Sequence, residues 1–312
     1  MLFRSPDRIV VCSGFTQALA LLAQVLAADG ATAVAVEAFG HQHHSEVIAA
    51  QGLAVRPVDV DDRGAVIAQL ARPPEAGAND AAGVGAVLLT PAHQFPLGVP
   101  LAAARRTQAV AWAAATGAMI IEDDYDGEFR YDRQAIGAMQ ALEPDSVVYA
   151  GTASKTLAPG LRLAWLVLPA ALADAVTDAK ILADRQSSSL DQLAFAELIT
   201  SGGYDRHVRR CRMIYRRRRE QLAAELRRHA PQARISGVAA GLHAIVGLPP
   251  GRTENEVIAQ AARRGLAVSG LAEYAAPGAR HAPGLVVGFA TPPASAFTAA
   301  LARLCAVLAD AP

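Results

Sequence analysis

Along the first two thirds of the chain, short runs of β-branched and aliphatic residues alternate with longer stretches in which alanine and leucine recur at helical spacing. Residues 8–12, 33–37, 53–58, 86–90, 119–122, 146–149 and 163–168 read as strands, and 16–27, 44–52 and 101–116 as helices between them. Strands that alternate with helices predict an α/β fold with a doubly wound, mostly parallel sheet, whose ligands sit at the carboxyl ends of the strands. From 169 to 230 the pattern turns helical. Short strands at 235–237, 242–248 and 285–289, a helix over 254–264 and a last helix then predict a smaller C-terminal α+β domain. The expected division is a large α/β domain over 1–200, followed by a connecting helix and the small domain over 201–312.

Composition narrows this picture. A chain of 312 residues with 52% hydrophobic content can bury a substantial core. Its longest apolar runs, 109–121 and 161–173, are interrupted or short of the roughly 20 residues a bilayer requires, so no membrane partner is expected. The first residues lack the charged and apolar regions of a signal peptide, and the cytoplasm is the expected location. With 29 basic and 29 acidic residues the formal net charge is zero, which gives the whole chain no electrostatic case for nucleic acid. The basic run 206–219 has Val208, Cys211 or Arg212, and Tyr215 at helical spacing, so it reads as the solvated face of an amphipathic helix or as a polyanion site. Cys12, Cys211 and Cys305 form neither a disulfide framework nor a zinc pattern. There is no internal repeat, and the Gly- and Ala-containing patch 73–86 reads as a surface loop.

The candidate chemistry begins with a lysine. Of 29 basic residues only Lys155 and Lys180 are lysines, and Lys155 lies in Gly151-Thr-Ala-Ser-Lys-Thr-Leu-Ala-Pro-Gly-Leu-Arg162, just after a predicted strand. A neutral lysine amine can form a Schiff base, whereas arginine does not lose its proton; a surface lysine in a turn is the plainer alternative. Beside it stand the hydroxyls of Thr152 and Ser154 and the guanidinium of Arg162, which can fork onto a phosphate. Ser13-Gly14-Phe15-Thr16 follows the first strand and opens a helix, so it is either an anion site or an ordinary N-cap. Glu122-Asp-Asp-Tyr-Asp126 follows another strand and offers carboxylates to a divalent metal or to a cationic cofactor nitrogen. The segment lacks a histidine or second acidic cluster to complete a ligand set, and no metal is expected. An amine, an anion site and a carboxylate on neighbouring strand ends are the parts of a pyridoxal 5'-phosphate site.

These segments resemble fold-type I pyridoxal phosphate-dependent aminotransferases, and most of all the aminotransferase-like domain of MocR-type regulators of the GntR superfamily. The similar stretches are Val10 to Leu19, Val36-Glu-Ala-Phe-Gly-His41, Thr90-Pro-Ala-His-Gln-Phe-Pro-Leu-Gly98, Ile121 to Tyr131, Gly151 to Arg162, Asp205-Arg-His-Val-Arg-Arg210 with Tyr215-Arg-Arg-Arg218, and Gly241-Leu-His243. The resemblance implies a Schiff base on Lys155, which then moves a proton between substrate Cα and cofactor. It implies Asp123 at the pyridine nitrogen, Tyr125 at the ring's phenolic oxygen, and Arg162, Thr152, Ser154 and the Ser13-Gly14-Phe15 turn on the phosphate. His41 falls where an aromatic commonly stacks on the ring, although His41, His43 and His44 also read as a surface cluster. Gln94 falls in the loop near the ring's oxygen side, with His93 as second choice. A homodimer is implied, and an amino acid or amine as the small-molecule partner.

Two departures shape the functional expectation. About eight residues precede the first strand, where the regulators carry a winged helix-turn-helix, so direct nucleic-acid binding by this chain is not expected. Val286 stands where many aminotransferases have the arginine that clamps a substrate carboxylate, with Arg280 nearby in sequence as a possible substitute. Three readings follow: a transaminase, a non-enzymatic ligand-sensing domain of a MocR-type regulator, and an α/β scaffold with a vestigial site.

Overall fold

The computed structural model describes residues 5–71, 83–131 and 137–309. Its first part is a sheet built from β1 (Ile9–Cys12), β2 (Ala33–Glu37), β3 (Ala54–Val58), β6 (Val84–Leu89), β7 (Met119–Asp124), β8 (Val147–Thr152) and β9 (Ala164–Val167), with a small hairpin of β4 (Val60–Asp61) and β5 (Gly64–Ala65) at its side. The strand order is β1-β9-β8-β7-β6-β2-β3. Neighbours from β8 through β3 run parallel, and β9 is antiparallel to both β8 and β1.

Period-2 alternation sends the strand side chains to two separate cores. Leu88, Ile121 and Val148 pack with Leu19 and Leu22 of α1 (Phe15–Ala28) and Val176 of α4 (Ala170–Asp184). Val87, Leu89, Ile120 and Val147 pack on the other face with Ala109 and Ala113 of α3 (Ala103–Thr116). Coverage of both faces explains why these strands read as continuous apolar runs rather than alternating ones. α3 ends where Gly117 takes a left-handed conformation, φ 75°, that a side chain would disfavour.

Beyond α2 (Gln42–Ala49), the chain continues after α4 through α5 (Ser189–Thr200) and the long α6 (Gly203–His229) into an antiparallel sheet ordered β10-β11-β13-β12. Its strands are β10 (Arg234–Ser236), β11 (His243–Gly247), β12 (Ser269–Gly270) and β13 (Gly284–Gly288), with α7 (Glu254–Arg263) and α8 (Ala294–Ala309). Ala244, Val246, Leu285 and Val287 face Leu222 and Leu226 of α6, Val257 of α7 and Leu301 of α8. Ile245 and Val286 point the opposite way, against Ala38, Phe39 and Leu271. The basic run in α6 is neither wholly solvated nor free: Arg212 Nε donates to Glu128 O at 2.8 Å, and Arg218 Nη1 to Ala290 O at 2.9 Å. These arginines tie the helix to segments on both sides of it.

The structure lengthens several elements relative to the sequence reading. The expected strand at 86–90 begins at Val84, inside the patch read as a loop, whose residues 73–82 lie outside the described residues. β7 runs on through Asp124 and β8 through Thr152, so the acidic segment is partly strand. Among the described residues no helix is long and apolar enough to cross a membrane. Leu166 of β9 is fully buried between α1 and α4. Leu166→Ala is expected to lower unfolding free energy by about 2–5 kcal/mol, measured by denaturant titration, because deletion of a buried leucine loses transfer energy and leaves a cavity.

Candidate active site

The carboxyl ends of β2, β6, β7 and β8 open into a cavity of about 1460 Å³. Strand alternation in β7 decides which acid enters it. Glu122 turns away and accepts the amides of Met139 and Gln140 at 2.9 and 3.0 Å. Asp124, two residues on, turns the same way and accepts Tyr149 Oη at 2.8 Å. Asp123, between them, lines the cavity at 7% exposure and has no hydrogen-bond partner among the described residues. Burial, with the charges of Asp124 and Asp126, holds its carboxyl well above the usual carboxylate range, and Lys155 opposes that. A donor cation in the cavity would be matched to it.

Lys155, Thr152, Ser154 and Arg162 line the same cavity. Thr152 Oγ1 accepts the amide of Ser154 at 3.1 Å, which turns the chain out of β8 toward Lys155. Arg162 holds a left-handed backbone, φ 50°, unusual for a residue with a side chain and costing about 1 kcal/mol or more. Its Nη2 donates to Ser13 O at 2.9 Å, and its guanidinium lies under Gly14. A Cβ on Gly14, φ 88°, would stand 2.5 Å from Arg162 Nη2. Gly14 is the N-cap of α1 and supplies no side-chain cap, so Phe15 and Thr16 open the helix beside the guanidinium. The amide of Ser13 is taken by Gln17 Oε1 at 2.7 Å. A guanidinium, two hydroxyls and a helix N-terminus thus surround one end of the cavity.

Tyr125 also lines the cavity, its phenol pushed well above its ordinary range by burial and then by Asp126 and Asp123, which keeps it a proton donor. His93 Nδ1 sits 2.8 Å from Asp126 Oδ2 and 3.1 Å from Tyr125 Oη, in a buried cluster. His41 is in the cavity wall, stacked on Phe95 with ring centroids 4.2 Å apart, and burial, then Lys155, lowers its pKa to about 4. Gln94 is not in that wall. Its Nε2 donates to Phe39 O at 2.7 Å and its Oε1 accepts the amide of Leu97 at 3.1 Å, so it shapes the loop that presents Phe95.

Sequence reasoning missed Asp126, Glu37, Phe95, Tyr274 and His243. Asp126 was visible as the last acid of its segment, and Glu37 as the charge that closes an apolar strand. The other three arrive through loops and the small sheet, which no local pattern joins to the cavity. Val286 is in the cavity wall, whereas Arg280 is exposed and outside it. Among the described residues no three His, Cys, Asp or Glu side chains are grouped to hold a metal ion.

The family model for aminotransferase class I and II matches residues 2–281. The chain belongs to that family. Among its relatives, this family member is 33% identical over 263 residues to an uncharacterized HTH-type transcriptional regulator, YhdI, of Bacillus subtilis, covering 84% of the chain and 54% of the relative. It is 31% identical over 285 residues to the HTH-type pyridoxine biosynthesis transcriptional regulator PdxR of Corynebacterium glutamicum, covering 91% and 59%. The chain therefore spans little more than half the length of these regulators, over the region expected from the sequence. Among solved structures, LysN of Thermus thermophilus, an alpha-aminoadipate aminotransferase complexed with N-(5'-phosphopyridoxyl)-L-leucine, superposes with a TM-score of 0.84 at 22% identity, covering 97% of this chain and 77% of LysN. That likeness establishes the fold: the mostly parallel sheet with its helices is the fold-type I aminotransferase architecture.

Glu37 accepts both the amide and the hydroxyl of Thr90, and burial pushes its carboxyl up from 4.5 to about 7. A carboxyl whose folded pKa is raised stabilises the fold while protonated, so this contribution is full below pH 4.5 and lost as pH rises through about 7. Glu37→Gln is expected to flatten the fall in stability between pH 5 and 8 by up to about 3 kcal/mol, read from urea midpoints at each pH. An unchanged slope would assign the fall to other buried acids.

Proposed function

We propose that this chain holds pyridoxal 5'-phosphate through Lys155 and transaminates an amino acid or amine. One observation carries the reading: a buried Asp123 carboxyl without a hydrogen-bond partner among the described residues shares a cavity with Lys155 and with a cradle of Arg162 and the start of α1 at Phe15 and Thr16, whereas Ser13 and Gly14 lie behind that wall against Arg162. The donor set fits the group, since a protonated ring nitrogen would satisfy Asp123 and a phosphate would satisfy the cradle. Bound there, the cofactor supplies a sink for the electrons of a breaking Cα–H bond. Asp123 holds the proton on the ring nitrogen. Tyr125 donates to the phenolic oxygen, steadied by His93 and Asp126. Arg162, Thr152, Ser154 and the Ser13-Gly14-Phe15 turn would hold the phosphate, and His41, in the cavity wall, would stack on the ring. Gln94 acts through the loop it braces. The amine of Lys155, once released, takes the proton from substrate Cα and returns it.

The same proposal includes a cytoplasmic homodimer and a division of the chain near residue 200. Free Cys12, Cys211 and Cys305 suit a reducing compartment. Leu182 of α4 and Leu190 and Leu193 of α5 are 84%, 79% and 67% exposed, an apolar face that a second copy would cover. A second reading is favoured by the relatives, which are named as transcriptional regulators. In it, this region senses an amine through the same residues with little turnover.

Addition of pyridoxal 5'-phosphate is expected to give a visible absorption band that borohydride removes, and Lys155→Ala is expected to abolish it. A reducible band that persists in that variant contradicts the assignment, since Lys180 is the only other lysine. Asp123→Asn is expected to keep binding but slow α-proton exchange about 10-fold or more, as loss of a charge-assisted hydrogen bond implies. Multiple turnovers with an amino donor support the transaminase reading, and amine exchange without them supports the sensor.

A further inference from the structure

We propose that the cavity takes a primary amine with an apolar body and no α-carboxylate. This rests on the cofactor reading above and narrows its amino acid or amine to one class. Among the described residues that line the cavity, Lys155 and Arg162 are the only Lys or Arg side chains. Arg162 lies against Ser13 and Gly14 at the start of α1, and Lys155 belongs to the same group of strand ends. Another part of the wall comes from the small sheet, where strand alternation brings an aliphatic side chain to the cavity: Leu285 and Val287 face the helices, so Val286 faces away from them, beside Ile245 of β11. These two pack with Phe39, Leu271, Tyr274 and Ala276, which join the small sheet to the loop after β2. Val286, Phe39, Tyr274 and Ala276 all reach the cavity.

Charge placement acts in the same direction. Glu37 lines the cavity and offers no cation to a ligand carboxylate. The imidazoles that line it, His41, His44 and His243, have their pKa lowered to about 4, 3 and 4, chiefly by burial, and are uncharged at neutral pH. Removal of a carboxylate from water without a cationic partner is strongly unfavourable, whereas an alkyl or aromatic group gains from the apolar wall. An α-amino acid would bring a group this wall does not pair; the corresponding decarboxylated amine would not.

The direct test uses two stable conjugates and the wild-type chain freed of cofactor. N-(5'-phosphopyridoxyl)-L-leucine and its carboxylate-free counterpart, N-(5'-phosphopyridoxyl)-3-methylbutylamine, are titrated calorimetrically, so no turnover is required. The carboxylate-free conjugate is expected to bind about 10-fold tighter or more, and Val286→Arg is expected to reverse the preference. Equal affinity, or tighter binding of the leucine conjugate by the wild-type chain, overturns the inference even if Val286→Arg does not fold. Binding of pyridoxal 5'-phosphate with neither conjugate bound also overturns it while the cofactor reading stands. Failure of all three ligands to bind removes the cofactor reading, and this inference with it.

Discussion

The site depends on a single alternation. In β7 the side chains of Glu122, Asp123 and Asp124 point to opposite sides in turn: both oxygens of Glu122 accept backbone amides and Asp124 Oδ2 accepts from Tyr149 Oη, on the side away from the cavity, although Asp124 Oδ1 is buried without a partner. Asp123 is left to the cavity, buried and without a hydrogen bond among the described residues. A one-residue slip of β7 against β8 would exchange these roles and bury the wrong carboxyls. The register that pairs Asp123 with Ala150 and Asp124 with Gly151 prevents it. Gly151 contributes as well, since it leaves room for the indole of Trp165, which a Cβ would strike. A buried carboxyl without its counter-charge is unfavourable to folding, so the arrangement makes physical sense as half of a pair.

The same logic connects the phosphate cradle to the fold. Parallel strands end on one side of the sheet, and the chain leaves β1 and β8 there as turns that carry Gly14 and Lys155. The left-handed Arg162 opens the way to β9, the antiparallel strand that lies between β8 and β1. Its guanidinium can therefore reach Ser13 across the strand gap. Local strain at Arg162 is offset by contacts on both sides, as is common where a side chain must be aimed.

Much of this was legible in the residues. The strand and helix alternation, the strand-end position of Lys155 and the acid cluster each follow from local pattern. The sequence pattern ends the strands at Glu122 and Tyr149, because the aspartates, alanine and glycine that follow have low strand propensity and only pairing with neighbours carries them into the sheet. Gln94 was legible as a loop residue but not as one whose amide turns inward to Phe39, since side-chain direction in a loop depends on tertiary contacts. Phe95, Tyr274 and His243 were not legible as neighbours, because they lie far apart in sequence and meet only where the small sheet closes over the strand ends.

The most direct test of this account is the protonation state of the cofactor's ring nitrogen, measured by nitrogen-15 NMR on the chain loaded with labelled pyridoxal 5'-phosphate. The account predicts a protonated nitrogen at neutral pH that loses its proton in Asp123→Asn. An unprotonated nitrogen in the wild-type chain, or one unchanged by the substitution, would contradict it.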